Sequence, residues 1–110
     1  MRNLLVGLLA CAIAFGATVP RPSPEYIINL PTGQKQSVLK QKGKVVVVAF
    51  ISTTCPHCQN SSKVLSRLHA EYAAKGLEVL GVAIDDGADA AAFARKFNVS
   101  FPVGTASRES

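Results

Sequence analysis

The sequence predicts an α/β fold, and three observations carry that prediction. Val45–Ile51 and residues 77–84 are apolar runs rich in β-branched side chains, the composition of strands buried in a sheet. Between them, residues 56–75 have helical spacing, with Val64, Leu65, Leu68 and Tyr72 on one face and Lys63, Arg67 and Glu71 on the other. A second helical stretch follows at 88–97, rich in alanine, with Phe93 and Phe97 one turn apart. Strands alternating with helices in this way form layered α/β domains.

In chain order, Val19-Pro20-Arg21-Pro22-Ser23-Pro24 is extended and cannot start a helix. Residues 26–30 read as a strand, Pro31-Thr32-Gly33 as a turn and 35–38 as a short returning strand, together an N-terminal hairpin. Residues 39–42 form a helical turn closed by Gly43, and Val45–Ile51 follows as the main strand. The long helix stops at Gly76, which suits the left-handed position after a helix. After the strand at 77–84, Asp85-Asp86-Gly87 is a loop, with an acidic residue capping the next helix. Asn98 closes that helix, and 99–103 is an extended piece. No internal repeat is present.

Cys55-Pro56-His57-Cys58 falls where the main strand hands over to the helix. Proline is well placed at a first helical position, where its missing N–H has no partner to lose. A thiol just ahead of the first turn faces free backbone N–H groups and the positive end of the helix dipole, which favour thiolate. Cys58 lies one turn deeper and can reach back to attack a mixed disulfide on Cys55. The pattern points to dithiol–disulfide exchange. A two-residue loop constrains an unfolded chain very little, so a purely structural staple is the weaker reading. Haem attachment requires histidine after the second cysteine, where Gln59 stands. Zinc needs about four ligands, and only His57 and His69 could join the cysteines, with His69 expected to face solvent. Asp85, Asp86 and Asp89 lack the spacing of a calcium loop.

These elements resemble the first half of a thioredoxin domain. Pro24-Glu25-Tyr26, Pro31-Thr32-Gly33-Gln34 and Lys42-Gly43-Lys44 ahead of the main strand are similar to the exported thioredoxins of the TlpA-like type and the related redoxins. The likeness runs from about residue 23 to 103. It implies a thioredoxin-like fold with an N-terminal hairpin and a β-α-β-α core, the C-terminal strands and final helix being absent. Phe101-Pro102 matches by position the short strand ahead of that second half, not the family's cis-proline. In the family's sheet, the absent strand pairs with the main strand, so an apolar edge is left open. The resemblance further implies Cys55 as attacking thiolate, Cys58 as resolving thiol and a Cys55–Cys58 disulfide in the oxidised form. Pro56 and His57 would tune the potential, the Pro-His dipeptide being that of the periplasmic dithiol oxidases. For His57 a second reading stands beside this, an exposed first-turn residue. Thioredoxins usually carry tryptophan before the first cysteine, where this chain has Thr54.

With 110 residues and a formal charge of +5, one unit of it from Arg2, the chain is at most one domain. Its bases are scattered among acids without interleaved aromatics, which gives a nucleic-acid partner no support. Residues 1–17 read as a signal peptide: Arg2, an apolar stretch from Leu4 to Phe15, and small residues that allow cleavage after Ala14 or Gly16. Residues 18–24 then form the proline-rich linker and 25–110 the partial domain. Two other readings place the same domain outside the cytoplasm: lipidation at Cys11 within Leu8-Leu9-Ala10-Cys11, or an uncleaved membrane tether.

The expected function is thiol–disulfide oxidoreduction on extracytoplasmic proteins, with protein thiols and a redox-partner protein as partners and no cofactor. Two alternatives stay open. A redoxin-type thiol peroxidase is suggested by Ser52 at the family's hydroxyl position, although Val48 occupies the proline's place. The other is a non-catalytic fragment that acts by pairing its sheet edge.

Overall fold

A computed structural model gives the structure of residues 21–106. The expected signal peptide, its cleavage positions and Cys11 lie outside the described residues, and of the linker only the exposed part from Arg21 onward lies within them. The hairpin forms as expected, β1 (Ile27–Asn29) against β2 (Lys35–Ser37), antiparallel with Ile27 opposite Ser37. Glu25 ties the linker to it: its carboxylate accepts from Ser37 Oγ at 2.6 Å and from the N–H groups of Tyr26 and Leu39. Those bonds, Ser37's first, hold its pKa below the usual carboxylate range.

The main strand β3 (Val45–Ile51) leads into helix α1 (Pro56–Tyr72), a short 3₁₀ turn and β4 (Leu77–Ala83). Helix α2 (Ala90–Lys96) and β5 (Val103–Thr105) follow. The sheet order is β2-β1-β5-β4-β3, with β3, β4 and β5 parallel and β1 antiparallel to β5. Two successive crossovers moving in one direction across a parallel sheet, each right-handed, set both helices on the same face. The core there joins Ile51, Val79, Ala83, Phe101 and Val103 of the sheet side to Leu65 of α1 and Ala90 and Phe93 of α2. The opposite face, centred on Ile28, Leu80 and Val82, carries no α-helix among the described residues, and the 3₁₀ turn Leu39–Gln41 lies beside its Val46 and Val48. Tyr26 sits there edge-on to Phe50, ring centroids 5.9 Å apart.

The terminators act as expected. Gly76 closes the 3₁₀ turn at φ 97°, and Asn98 leaves α2 at φ 49°. The Asp89 carboxylate caps α2 by accepting from Ala92 N–H at 2.9 Å.

Three expectations need correction. The extended piece at 99–103 becomes a strand only at Val103–Thr105. Pro102 cannot donate to a ladder; its carbonyl accepts from Gly81 N–H at 2.8 Å, and the strand begins one residue later. The buried face of α1 is also displaced. Ser62 is 1% exposed, and Cys58 and Leu65 pack on the core, whereas Val64, Leu68 and Tyr72 are 46%, 40% and 38% exposed. Ser62 can be buried because its hydroxyl donates to Cys58 C=O at 2.8 Å. His69, expected in solvent, is half-buried: it lies edge-on to Phe101, with Nδ1 3.4 Å from Ser100 Oγ.

One flank of α1 faces the segment after α2, with Ser66, Arg67 and Ala70 lining a groove shared with Phe97 and Ser100. The Val64-Leu68-Tyr72 stripe is therefore on the other flank, toward β3, whose outer edge has no partner among the described residues.

Candidate active site

β3 brings the chain to the carboxyl end of the sheet, and a three-residue loop, Ser52-Thr53-Thr54, carries it to Cys55. Cys55 is the N-cap of α1, extended at φ −85° and ψ 120°, and Pro56 opens the helix. Its carbonyl already accepts the first helical bond, from Gln59 N–H at 3.0 Å. The thiol therefore stands where the first-turn amides point outward.

Those amides act on it directly. The backbone amides of Cys58 and then His57, turned toward the N-cap, hold the Cys55 pKa below the ordinary thiol value, although no capping hydrogen bond to the sulfur is formed. The Cys58 side chain lowers it as well, while partial burial and the negative charge of Asp85 push the other way. Cys55 and Cys58 are both present as half-buried free thiols. A thiolate so favoured, with a second free thiol one helical turn away, can open a disulfide and then be displaced in turn.

His57 bears on Cys55 through its backbone amide, which helps to lower the thiol's pKa. Its side chain is exposed and makes no hydrogen bond among the described residues. Pro56, also exposed, fixes the first helical φ. His69 stands against Ser100 and Phe101 instead of joining the cysteines, and no cluster of His, Cys, Asp and Glu able to hold a metal occurs among the described residues. Pro102 lies beside the middle of β4.

Sequence reasoning missed Asp85. Expected in a loop, it sits just past β4 with its carboxylate turned to the segment before Cys55. Ser52 Oγ donates to it at 2.9 Å, Thr53 N–H at 2.5 Å and Thr53 Oγ1 at 2.6 Å. These donors, the Thr53 hydroxyl first, keep its pKa below the usual carboxylate range. The available signal was its position: a carboxylate at the carboxyl end of the strand beside the cysteine strand, where sites of open α/β sheets gather.

Comparison with known proteins bears on the fold and the family. The thiol-disulfide oxidoreductase ResA of Bacillus cereus is 26% identical over 86 residues, 77% of this chain and 50% of that protein. Peroxiredoxin Q of Triticum aestivum chloroplasts is 30% identical over 94 residues, 84% of this chain and 42% of that protein. The chain thus spans about half the length of the curated relatives it matches. Among solved structures, the thioredoxin domain of a thiol-disulfide oxidoreductase of Bacteroides vulgatus superposes with a TM-score of 0.73 at 18% identity, covering 86% of this chain and 68% of that one. A Chlorobium tepidum protein assigned as thiol:disulfide interchange protein DsbE gives 0.66 at 28% identity, over 74% of this chain and 58% of that one. The fold is thioredoxin-like, and the chain covers 58% and 68% of the length of these two neighbours. With the family profile described as AhpC/TSA matching residues 19–107, the chain belongs to the AhpC/TSA family.

Proposed function

We propose that this protein is a thiol–disulfide oxidoreductase that exchanges disulfides with proteins outside the cytoplasm through Cys55 and Cys58. One observation carries the reading: Cys55 is the extended N-cap of a helix opened by Pro56, with Cys58 one turn on and both thiols free and half-buried. The Cys55 thiolate attacks a substrate disulfide, forming a mixed disulfide and releasing one substrate thiolate. Cys58, losing its proton, then attacks the Cys55 sulfur and releases the second substrate thiol. The chain is left as the Cys55–Cys58 disulfide, two electrons having passed to the substrate; the reverse sequence oxidises a dithiol. The His57 and Pro56 contribution is the placement of first-turn amides. The location rests on reading residues 1–17 as a signal peptide or tether, which also supplies the membrane association if it is retained.

The test is the reduction potential of the pair in glutathione buffers. A single reversible two-electron transition is expected; near −120 mV it marks an oxidase, near −270 mV a thioredoxin-like reductant. In Cys58→Ser, the mixed disulfide on Cys55 should accumulate. Two thiols that titrate independently, like those of an unfolded peptide, would refute the reading.

The resemblance to peroxiredoxin Q favours one second reading, a thiol peroxidase. Against it, the Ser52 hydroxyl already donates to Asp85, and the resolving thiol is one turn away. Hydroperoxide consumption that persists in Cys58→Ser with an external thiol would favour the peroxidase.

A further inference from the structure

We propose that Asp85 is a positioning residue for Cys55, a cross-strand pin that holds the Ser52-Thr53 segment so that the thiol meets the first turn of α1. The inference rests on the reading of Cys55 as the attacking thiol. Its warrant is that the loop before Cys55 owes most of its polar partners to one side chain from the loop that follows the neighbouring strand. Asp85 takes the Ser52 hydroxyl, the Thr53 N–H and the Thr53 hydroxyl. Gln59, in the first turn of α1, donates from Nε2 to the Thr53 carbonyl at 3.1 Å. Thr53 is thus gripped from the loop after β4 on one side and α1 on the other. Ser52 C=O in turn accepts the Cys55 N–H at 3.2 Å, so the hold passes directly to the cysteine.

The bonds are charge-assisted, the stronger class of hydrogen bond. They are also placed at a cost, because a carboxylate near Cys55 opposes thiolate formation. A residue that merely filled space would not need that charge. Asp85 therefore acts in two opposed ways, favouring the thiolate through geometry and disfavouring it through charge, and substitution separates the two. Asparagine can keep the pin, with Oδ1 accepting from Thr53 N–H and Nδ2 donating to a hydroxyl that turns to accept. Alanine cannot. The other charges near Thr53, Asp89 and Lys96 of α2, line the groove beside it and have opposite sign.

The experiment uses the full chain in a Cys58→Ser background, and reads alkylation of Cys55 by iodoacetamide against pH. Mass spectrometry of the tryptic peptide spanning residues 45–63 reports Cys55 without interference from Cys11. The expected pattern has opposite signs. Asp85→Asn moves the Cys55 titration to lower pH. Asp85→Ala moves it to higher pH and slows alkylation several-fold at neutral pH. Thr53→Val, which keeps the charge and the fold's core, shifts it in the same direction as Asp85→Ala, and Thr53→Ser restores it. Two downward shifts at Asp85 mean that only the charge acts and overturn the proposal, as do unchanged profiles. If Asp85→Ala does not fold, the Thr53 pair decides by the same criterion. A wild-type chain with a reversible Cys55–Cys58 couple but unchanged profiles refutes the pin and leaves the oxidoreductase reading standing. The opposite-sign pattern in a chain without that couple does the reverse.

Discussion

Gly104 is the position where one added methyl group should do the most damage for its size. β1 meets β5 through a single register pair, Asn29 opposite Thr105, and the hairpin's place on the sheet depends on that contact. A Cβ on Gly104 would collide with the Asn29 carbonyl oxygen, lie 2.9 Å from the Asn29 carbonyl carbon and 2.7 Å from Ile28 Cγ2. Backbone cannot swing aside as a side-chain tip can, so β1 must move. Overpacking of this kind costs about 1–3 kcal/mol. If the displacement also uncovers Ile28, now 1% exposed, a further ~1.5–3 kcal/mol of burial is at stake. Gly81 is the internal control: its Cβ would meet Phe101 Cε2, Ile51 Cδ1 and Val103 Cγ2 at 3.0–3.1 Å, all side-chain ends. Gly81→Ala should cost under ~1 kcal/mol, partly offset by the smaller entropy of an unfolded alanine. Urea denaturation of both variants, at equal protein concentration, gives the comparison. We expect Gly104→Ala to lose about 1–3 kcal/mol, or about 2.5–6 kcal/mol if Ile28 is uncovered, with a lower slope if the hairpin frays in the native state. Cys55 alkylation should be unchanged, since the damage is two strands away from β3. Equal losses in the two variants would show that the reasoning from backbone contact is wrong.

Three further outcomes follow from the site and its scaffold. Cys55 has a lowered folded pKa, so the thiolate stabilises the dithiol form: this contribution is complete above the unfolded thiol value of about 8.5 and is lost as pH falls through the folded pKa. The urea midpoint of the reduced chain should therefore rise with pH across that window while the disulfide form does not share the rise; parallel curves would contradict the assignment. Asp85 and Glu25, also lowered, lose their contribution at acid pH, so both forms should weaken together below about pH 4. Asp89→Ala removes the cap of α2 and should cost about 1 kcal/mol in the same denaturation assay, with Asp89→Asn close to wild type.

What could be read in the sequence were the features set by local chemistry. β-branched runs named β3 and β4, Gly76 and Asn98 named the helix ends, and the Cys-Pro-His-Cys spacing placed two thiols on one helix start. The features that escaped depend on what lies across the chain. The α1 stripe was assigned by hydrophobicity, yet the helix turns Ser62 to the sheet because its hydroxyl is satisfied within the helix and leaves a small buried surface. Nothing local distinguishes that serine from an exposed one. β5 starts where Pro102 ends and where Gly104 lets β1 approach, a matter of a partner strand some 75 residues away. Asp85 has donors 32 and 33 residues upstream, so its role becomes visible only once β4 lies beside β3.

The strand that delivers Cys55 is also the outermost strand of the sheet among the described residues, and this divides its amides into two populations. Val45 donates to Gly76 C=O, and Ile51 C=O accepts from Ile84 N–H. With the strand's period of two, Val45, Val47, Ala49 and Ile51 turn their backbone groups to β4, and Val46, Val48 and Phe50 turn theirs outward. Deuterium should enter the second set at near-solvent rates and the first only when the whole strand opens. The spread between the two sets measures how firmly the cysteine loop is anchored from beneath. Any chain that came to pair with the outer edge would announce itself by slowing Val46, Val48 and Phe50 alone.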